Sequence, residues 1–148
     1  SPGWKYAEYE MKGVPLRLEI GPRDIEANQC VLVRRDNGEK TVVSLDSLET
    51  VIPEILSDIT KQLYNKALEN RKNRTYTETD LESFIKTAKE KSGYIRAYWC
   101  GDLECELKLK ELADVSSRCM PFDEQGGEGK CICCGKKADK LVYWGKAY

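Results

Sequence analysis

Seven cysteines and no histidine set the chemistry open to this 148-residue sequence. The cysteines are Cys30, Cys100, Cys105, Cys119, Cys131, Cys133 and Cys134, so six of them crowd into the C-terminal third. Without imidazole, Ser-His-Asp and Cys-His catalysis, histidine acid–base work and His-ligated metals are excluded. No secretory segment opens the sequence and the cysteine total is odd, so a complete disulfide framework is not expected. Cys100 and Cys105 form a C-x4-C pair and Cys131 and Cys134 a C-x2-C pair. Thiolates in such short-spaced pairs suit a tetrahedral Zn2+, the two-residue gap making a knuckle turn. Gly135 directly after Cys134 supplies the left-handed residue that such a turn needs. Cys133 in place of Cys134 is an open alternative that loses this adjacent glycine. An iron–sulfur cluster, a redox dithiol and plain reduced core cysteines are the other readings of the same residues. Cys119, between Arg118 and Met120, reads as a small buried apolar residue. Four thiolates leave no open coordination position, so the metal is expected to brace a small domain rather than do chemistry.

The elements that position these residues follow from periodicity. Trp4 to Met11 reads as a short helix ending at Gly13. Val14 to Ile20 alternates, with Arg17 and Glu19 opposite Leu16 and Leu18, as a half-buried strand does. Arg23 to Asn28 reads as one helical turn, and Cys30–Arg34 and Thr41–Leu45 as strands joined through Asp36-Asn37-Gly38. From Leu48 the apolar period becomes helical, with Val51, Ile52, Ile55, Leu56, Ile59, Leu63, Ala67 and Leu68 on one stripe to about Arg71. Pro53 predicts a break or kink near residue 52. Lys72–Thr77 reads as a connector. Thr79 to Glu82 has capping-box spacing ahead of a helix through Ala88. Tyr94–Trp99 reads as a strand, Asp102 as the cap of a helix to about Leu112, Arg118–Phe122 as strand-like and Leu141–Trp144 as the last strand. Asp123–Gly129 is a glycine-rich acidic loop.

Lysine and arginine number 24 against 25 aspartate and glutamate, a formal charge of −1, so total charge signals neither a nucleic-acid nor a membrane partner. With 41% apolar and 33% charged residues the composition is that of a soluble globular protein, and no apolar run is long enough to cross a bilayer.

Pro2-Gly-Trp-Lys5, Glu10-Met-Lys-Gly-Val-Pro-Leu-Arg17, Glu19-Ile-Gly-Pro-Arg-Asp24 and the hairpin Arg34–Lys40 together resemble the anticodon-binding domain of prolyl-tRNA synthetases. The two cysteine pairs and the closing Trp144-Gly-Lys-Ala-Tyr148 resemble the zinc-binding C-terminal domain of the archaeal/eukaryotic-like type of that family. The resemblance implies an α/β fold, a mixed sheet flanked by helices over residues 1–72 without the family's first strand and helix. A linker over 73–79 and a small α+β zinc domain over 80–148 would follow. An edge left unpaired by the missing strand would expose Leu16 and Val31.

The resemblance further implies that Glu10 and Arg17 read the guanines of the proline anticodon, with Lys40 as a third contact. A carboxylate accepts guanine N1–H and N2–H, and a guanidinium donates to O6 and N7. Lys5, Lys12, Arg23 and Arg34 are candidates for phosphates, Trp4 and Tyr9 for stacking. Glu10 and Arg17 as a plain surface ion pair is the bland alternative. tRNA(Pro) is the implied partner, together with a catalytic domain that uses ATP and Mg2+, in a homodimeric cytoplasmic enzyme. The last tyrosine is implied to reach toward that domain. No catalytic residues are expected in this chain, so alone it should be inactive. The competing readings are a free-standing zinc-braced interaction module and a thiol redox protein using Cys131 and Cys134.

Overall fold

The computed structural model describes residues 2–147, so Tyr148 lies outside the described residues. The chain forms two compact units that divide between Ala67 and Leu68.

The first unit opens with α1 (Pro2–Met11), followed by β1 (Leu16–Glu19), α2 (Pro22–Glu26), β2 (Gln29–Arg34) and β3 (Lys40–Ser44). The three strands form one antiparallel sheet in the order β1-β2-β3. The period-two pattern read from Val14 to Ile20 survives as β1, and the hairpin closes through Gly38 N–H to the Arg34 carbonyl. Val31 lies on the central strand and is paired on both sides, which corrects its expected place on an open edge; Leu16 does lie on an edge strand. One face of the sheet carries Cys30 and Leu32, and these with Val33 and Ile59 are the unit's buried apolar residues.

A 3-10 turn over Leu45–Ser47 leads into α3 (Leu48–Asn73), an α-helix that runs through Pro53 without a break. The expected break is therefore absent. Proline removes the hydrogen bond to the carbonyl four residues back, and that residue, Glu49, is exposed to water. Of the predicted apolar stripe only Ile59 is buried, while Leu63 is 52% exposed.

The second unit contains β4 (Thr75–Thr77), α4 (Leu81–Glu90), β5 (Tyr94–Trp99), α5 (Leu103–Ala113), β6 (Ser116–Cys119), the short pair β7 (Gly129–Lys130) and β8 (Lys137–Ala138), and β9 (Lys140–Gly145). Its main sheet runs β4-β5-β9-β6, parallel only between β4 and β5. Part of the stretch expected as a connector is thus strand: Thr75–Thr77 pairs with Tyr94–Arg96 because its backbone groups complete the edge of β5. Asp80 rather than Thr79 caps α4, its carboxylate accepting from Ser83 N–H at 2.8 Å. Asp102 caps α5 in the same way through Glu104 N–H.

The cross-strand pairs Ile95–Trp144 and Ala97–Val142 put these side chains on one face, where Phe84, Ala88, Leu109, Ala113, Val115 and Ile132 cover them. Trp144 is wholly buried, edge-on to Phe84 and to Trp99. On the opposite face Tyr98 meets the glycine-rich loop so closely that a Cβ at Gly129 would collide with its ring. Gln125 pins the same loop by accepting from Leu141 N–H and donating to the Leu141 carbonyl. Cys119 is exposed, not buried as expected, because β6 is an edge strand with a bulge between Ser117 and Cys119.

Candidate nucleic-acid interface and metal centre

The first site lies at the corner between α1 and β1. Glu10 is in the last turn of α1 and Arg17 is the second residue of β1, and the two side chains meet: Arg17 Nη1 donates to Glu10 Oε1 at 2.5 Å. Arg17 Nε donates to Glu19 Oε1 at 2.9 Å, a contact that follows from two residues on the same face of one strand. The guanidinium rests on the Tyr6 ring, 4.0 Å from its centroid. Burial works against the charge on Arg17, but the hydrogen bonds to Glu10 and Glu19 outweigh it and raise the pKa above the ordinary arginine value. A cavity of about 230 Å³ opens here, lined by Lys5, Tyr6, Tyr9, Glu10, Val14, Leu16 and Arg17.

The corner is held from outside as well. Arg35 Nε donates to the Glu10 carbonyl at 2.7 Å, and Arg35 N–H to the Pro15 carbonyl. A cation at the negative end of a helix is favourable, so Arg35 fixes the turn that carries Glu10. Lys40 stands opposite Val33, and Val33 opposite Arg17, so the three share one row and one face of the sheet. Two strand spacings place Lys40 about 10 Å from Arg17 along that row. All three residues named from sequence therefore lie in one region. Of the aromatics proposed for stacking, Trp4 and Tyr9 are exposed and only Tyr9 lines the cavity; the ring beneath Arg17 is Tyr6, which sequence reading missed. Its signal was helical spacing, four residues before Glu10 on α1. Arg34 is not free for phosphate, since Asp36 and Asp58 take both sides of its guanidinium at 2.8 and 2.6 Å. Lys12 is paired with Glu8.

The second site is the cysteine cluster. Cys100 follows β5, Cys105 sits in the first turn of α5, and Cys131 and Cys134 lie on the turn between β7 and β8. The sulfurs of Cys100, Cys105, Cys131 and Cys134 all lie within 4.8 Å of one another. Cys100 Sγ is 3.7 Å from Cys105 Sγ and 3.9 Å from Cys134 Sγ. Four thiolates bound at about 2.3 Å to one tetrahedral metal stand about 3.8 Å apart, so the donor set fits a metal, whereas a disulfide needs a far shorter contact.

The knuckle has the local geometry that such a site requires. Gly135 N–H donates to the Cys131 carbonyl, Cys131 N–H to the Lys136 carbonyl, and Gly135 takes φ +72°. Ile132 N–H to the Tyr98 carbonyl fastens the turn to β5. Burial pushes the Cys131 thiol up, yet the N–H groups of Cys134, Cys100 and Cys133 bring it down to about 7. Burial pushes the Cys105 and Cys100 thiols up. Cys133 is partly buried against the apolar core and outside the group of four.

Comparison with known proteins bears on both units. Residues 1–55 match the family model described as anticodon binding domain, and residues 81–148 the model described as prolyl-tRNA synthetase, C-terminal. The chain is 59% identical over 147 residues to proline–tRNA ligase of Clostridium novyi and 57% identical over 148 residues to a proline–tRNA ligase 2 of Bacillus cereus. It covers 99% and 100% of its own length in those matches and 31% of each relative, so it spans about a third of the curated relatives it matches. Among solved structures, prolyl-tRNA synthetase from Cryptosporidium parvum complexed with L-proline and AMP superposes with a TM-score of 0.91 at 35% identity, over 100% of this chain and 32% of that one. With both units matched in order by an anticodon-binding model and a synthetase-specific model, the chain belongs to the prolyl-tRNA synthetase family, to whose C-terminal part it corresponds.

Proposed function

We propose that this chain recognises the anticodon of tRNA(Pro) for a proline–tRNA ligase, and that its second unit is braced by Zn2+. The observation that carries the first half is the contact of Glu10 with Arg17 at the mouth of a cavity beside Tyr6. Proline codons begin with CC, so the second and third anticodon bases are guanines in a single-stranded loop. Glu10 offers carboxylate oxygens to guanine N1–H and N2–H, and Arg17 offers N–H groups to O6 and N7. Lys40, in the same row of the sheet, supplies a cation for the adjoining backbone or base.

The four sulfurs support the second half. Cys100, Cys105, Cys131 and Cys134 would hold the ion, and Zn2+ would supply cross-linking of β5, α5 and the β7–β8 turn, with no substrate position. We assign residues 1–72 to anticodon binding and 80–148 to the zinc-braced domain; of the stretch 73–79 between them, Thr75–Thr77 belongs to the sheet of the second unit. Activation of proline with ATP and Mg2+ and its transfer belong to a catalytic domain in a homodimeric cytoplasmic enzyme, and this chain by itself is inactive in that reaction. No helix among the described residues is long and apolar enough to cross a membrane.

Filter binding tests the reading. A tRNA(Pro) transcript should bind more tightly than one with the second and third anticodon bases replaced, by about 5- to 150-fold per base, the usual 1–3 kcal/mol for a wrong base. Equal binding of the two transcripts rejects it.

A further inference from the structure

Arg17 is held by two carboxylates at two different nitrogens, and only one of them belongs to the proposed guanine-reading pair. Glu10 takes Nη1 and Glu19 takes Nε. Among the described residues Nη2 carries no hydrogen bond, and Tyr6 covers one face of the guanidinium plane. A base that engages the Glu10 carboxylate competes with Arg17 for the same oxygens. If Glu10 were the only anchor, that competition would release a long flexible side chain at the moment its direction matters. Glu19 removes this cost. It lies two residues along β1 on the same face, and its backbone is fixed by pairing with Val31 on the central strand. Its side chain is 25% exposed and Arg17 22%, so the contact is sheltered from water, whereas Glu10 is 50% exposed and open to a ligand.

We propose that Glu19 is a positioning residue for base discrimination: by holding Arg17 at Nε it keeps the Nη edge aimed outward at guanine O6 and N7 while Glu10 is taken by the base. Glu19 itself touches no nucleotide. This rests on the guanine-reading function proposed above for Glu10 and Arg17.

The two ends of that reading separate with base analogues in an anticodon stem-loop RNA, bound to the full chain and followed by fluorescence anisotropy. 7-Deazaguanine lacks the N7 acceptor and reports on Arg17. Inosine lacks the N2 amino group and reports on Glu10. The wild-type chain should lose about tenfold in affinity with either analogue, the size of one base-edge hydrogen bond. In Glu19→Ala the 7-deazaguanine penalty should fall to about twofold while the inosine penalty persists. Glu19→Gln, whose amide oxygen still accepts from Nε, should restore most of the first penalty. Circular dichroism confirms that the variants fold, and a merely structural role for Glu19 would change both penalties together. Retention of the full 7-deazaguanine penalty in Glu19→Ala, or equal loss of both, overturns the proposal. A wild-type chain indifferent to both analogues overturns the guanine-reading function beneath it as well.

Discussion

Glu10 and Arg17 form an ion pair from which folding gains little. Exposed pairs contribute about 0.2–1 kcal/mol, and Glu10 is half exposed. Glu10→Gln should therefore shift the unfolding free energy by less than about 1 kcal/mol, read by thermal melting. The same substitution should weaken binding of the proline anticodon stem-loop by about tenfold, since a neutral amide no longer accepts two N–H groups from guanine. Unchanged binding with an unchanged melt would leave the pair as surface decoration. Arg34 stands in contrast. It is 11% exposed, fixed on both sides by Asp36 and Asp58, and its hydrogen bonds hold both carboxyls below the ordinary 3.8. Because the folded pKa values lie below the unfolded ones, the unfolded chain binds more protons as acid is added. The contribution is complete above the unfolded value and disappears as pH falls through the folded values. Melting temperature measured between about pH 6 and pH 2 should thus fall less steeply in Asp58→Asn than in wild type. Parallel curves would remove Asp58 from the linkage.

Capping shows how far local chemistry reaches in setting the elements. Asp80 accepts the Ser83 N–H and is held below its ordinary pKa chiefly by that bond. Asp80→Ala should lower stability by about 1 kcal/mol, while Thr79→Ala, one residue earlier, should be near neutral; thermal melting decides. The sequence placed the cap within one residue, because Thr79 and Asp80 are both good caps and only backbone geometry selects between them. Strand β1, the hairpin and helices α4 and α5 were readable for the same reason: period, turn residues and caps are local signals. β4 was not: Thr75-Tyr76-Thr77 are strand-favouring residues, but three residues are too few to show a period and become a strand only when the edge of β5 is there to pair with them. Tyr6 was missed because a helix-face aromatic has no local mark that distinguishes a support for Arg17 from core packing. The meeting of Glu10 with Arg17 is what their spacing already offered as an ordinary surface ion pair, whereas the guanine-reading role assigned to them came through family resemblance. The four cysteines were readable as two short-gap pairs, and the glycine after Cys134 favoured it over Cys133 without deciding between them; the fold brings Cys134 and not Cys133 to the other three sulfurs.

The two units are built on very different cores, and metal removal should expose that difference. In the first, the buried apolar residues are few, Cys30, Leu32, Val33 and Ile59, while Leu18, Ile20 and Val42 are 42%, 47% and 60% exposed. In the second, an apolar cluster around Trp144 and Phe84 is joined by a smaller one of Cys105, Cys131 and Ala138 at the four sulfurs. That smaller cluster rests on short elements, since β7 and β8 have two residues each. A two-residue hairpin is not stable in water by itself, so the proposed metal would supply what the strands lack. Atomic emission should find about one zinc per chain at the start. After stripping with chelator, hydrogen exchange should rise at least about tenfold in the β7–β8 turn and at the start of α5, where opening is governed by the lost cross-link. Amides of β5 and β9, protected by the Trp144 cluster, should change less, and those of β1 to β3 not at all. Replacing Cys134 with Ser should reproduce the pattern in the presence of zinc. Replacing Cys133 should not, because its thiol lies outside the group of four. Exchange that stays slow in the turn after complete removal of metal would show that packing alone holds the cysteine cluster together.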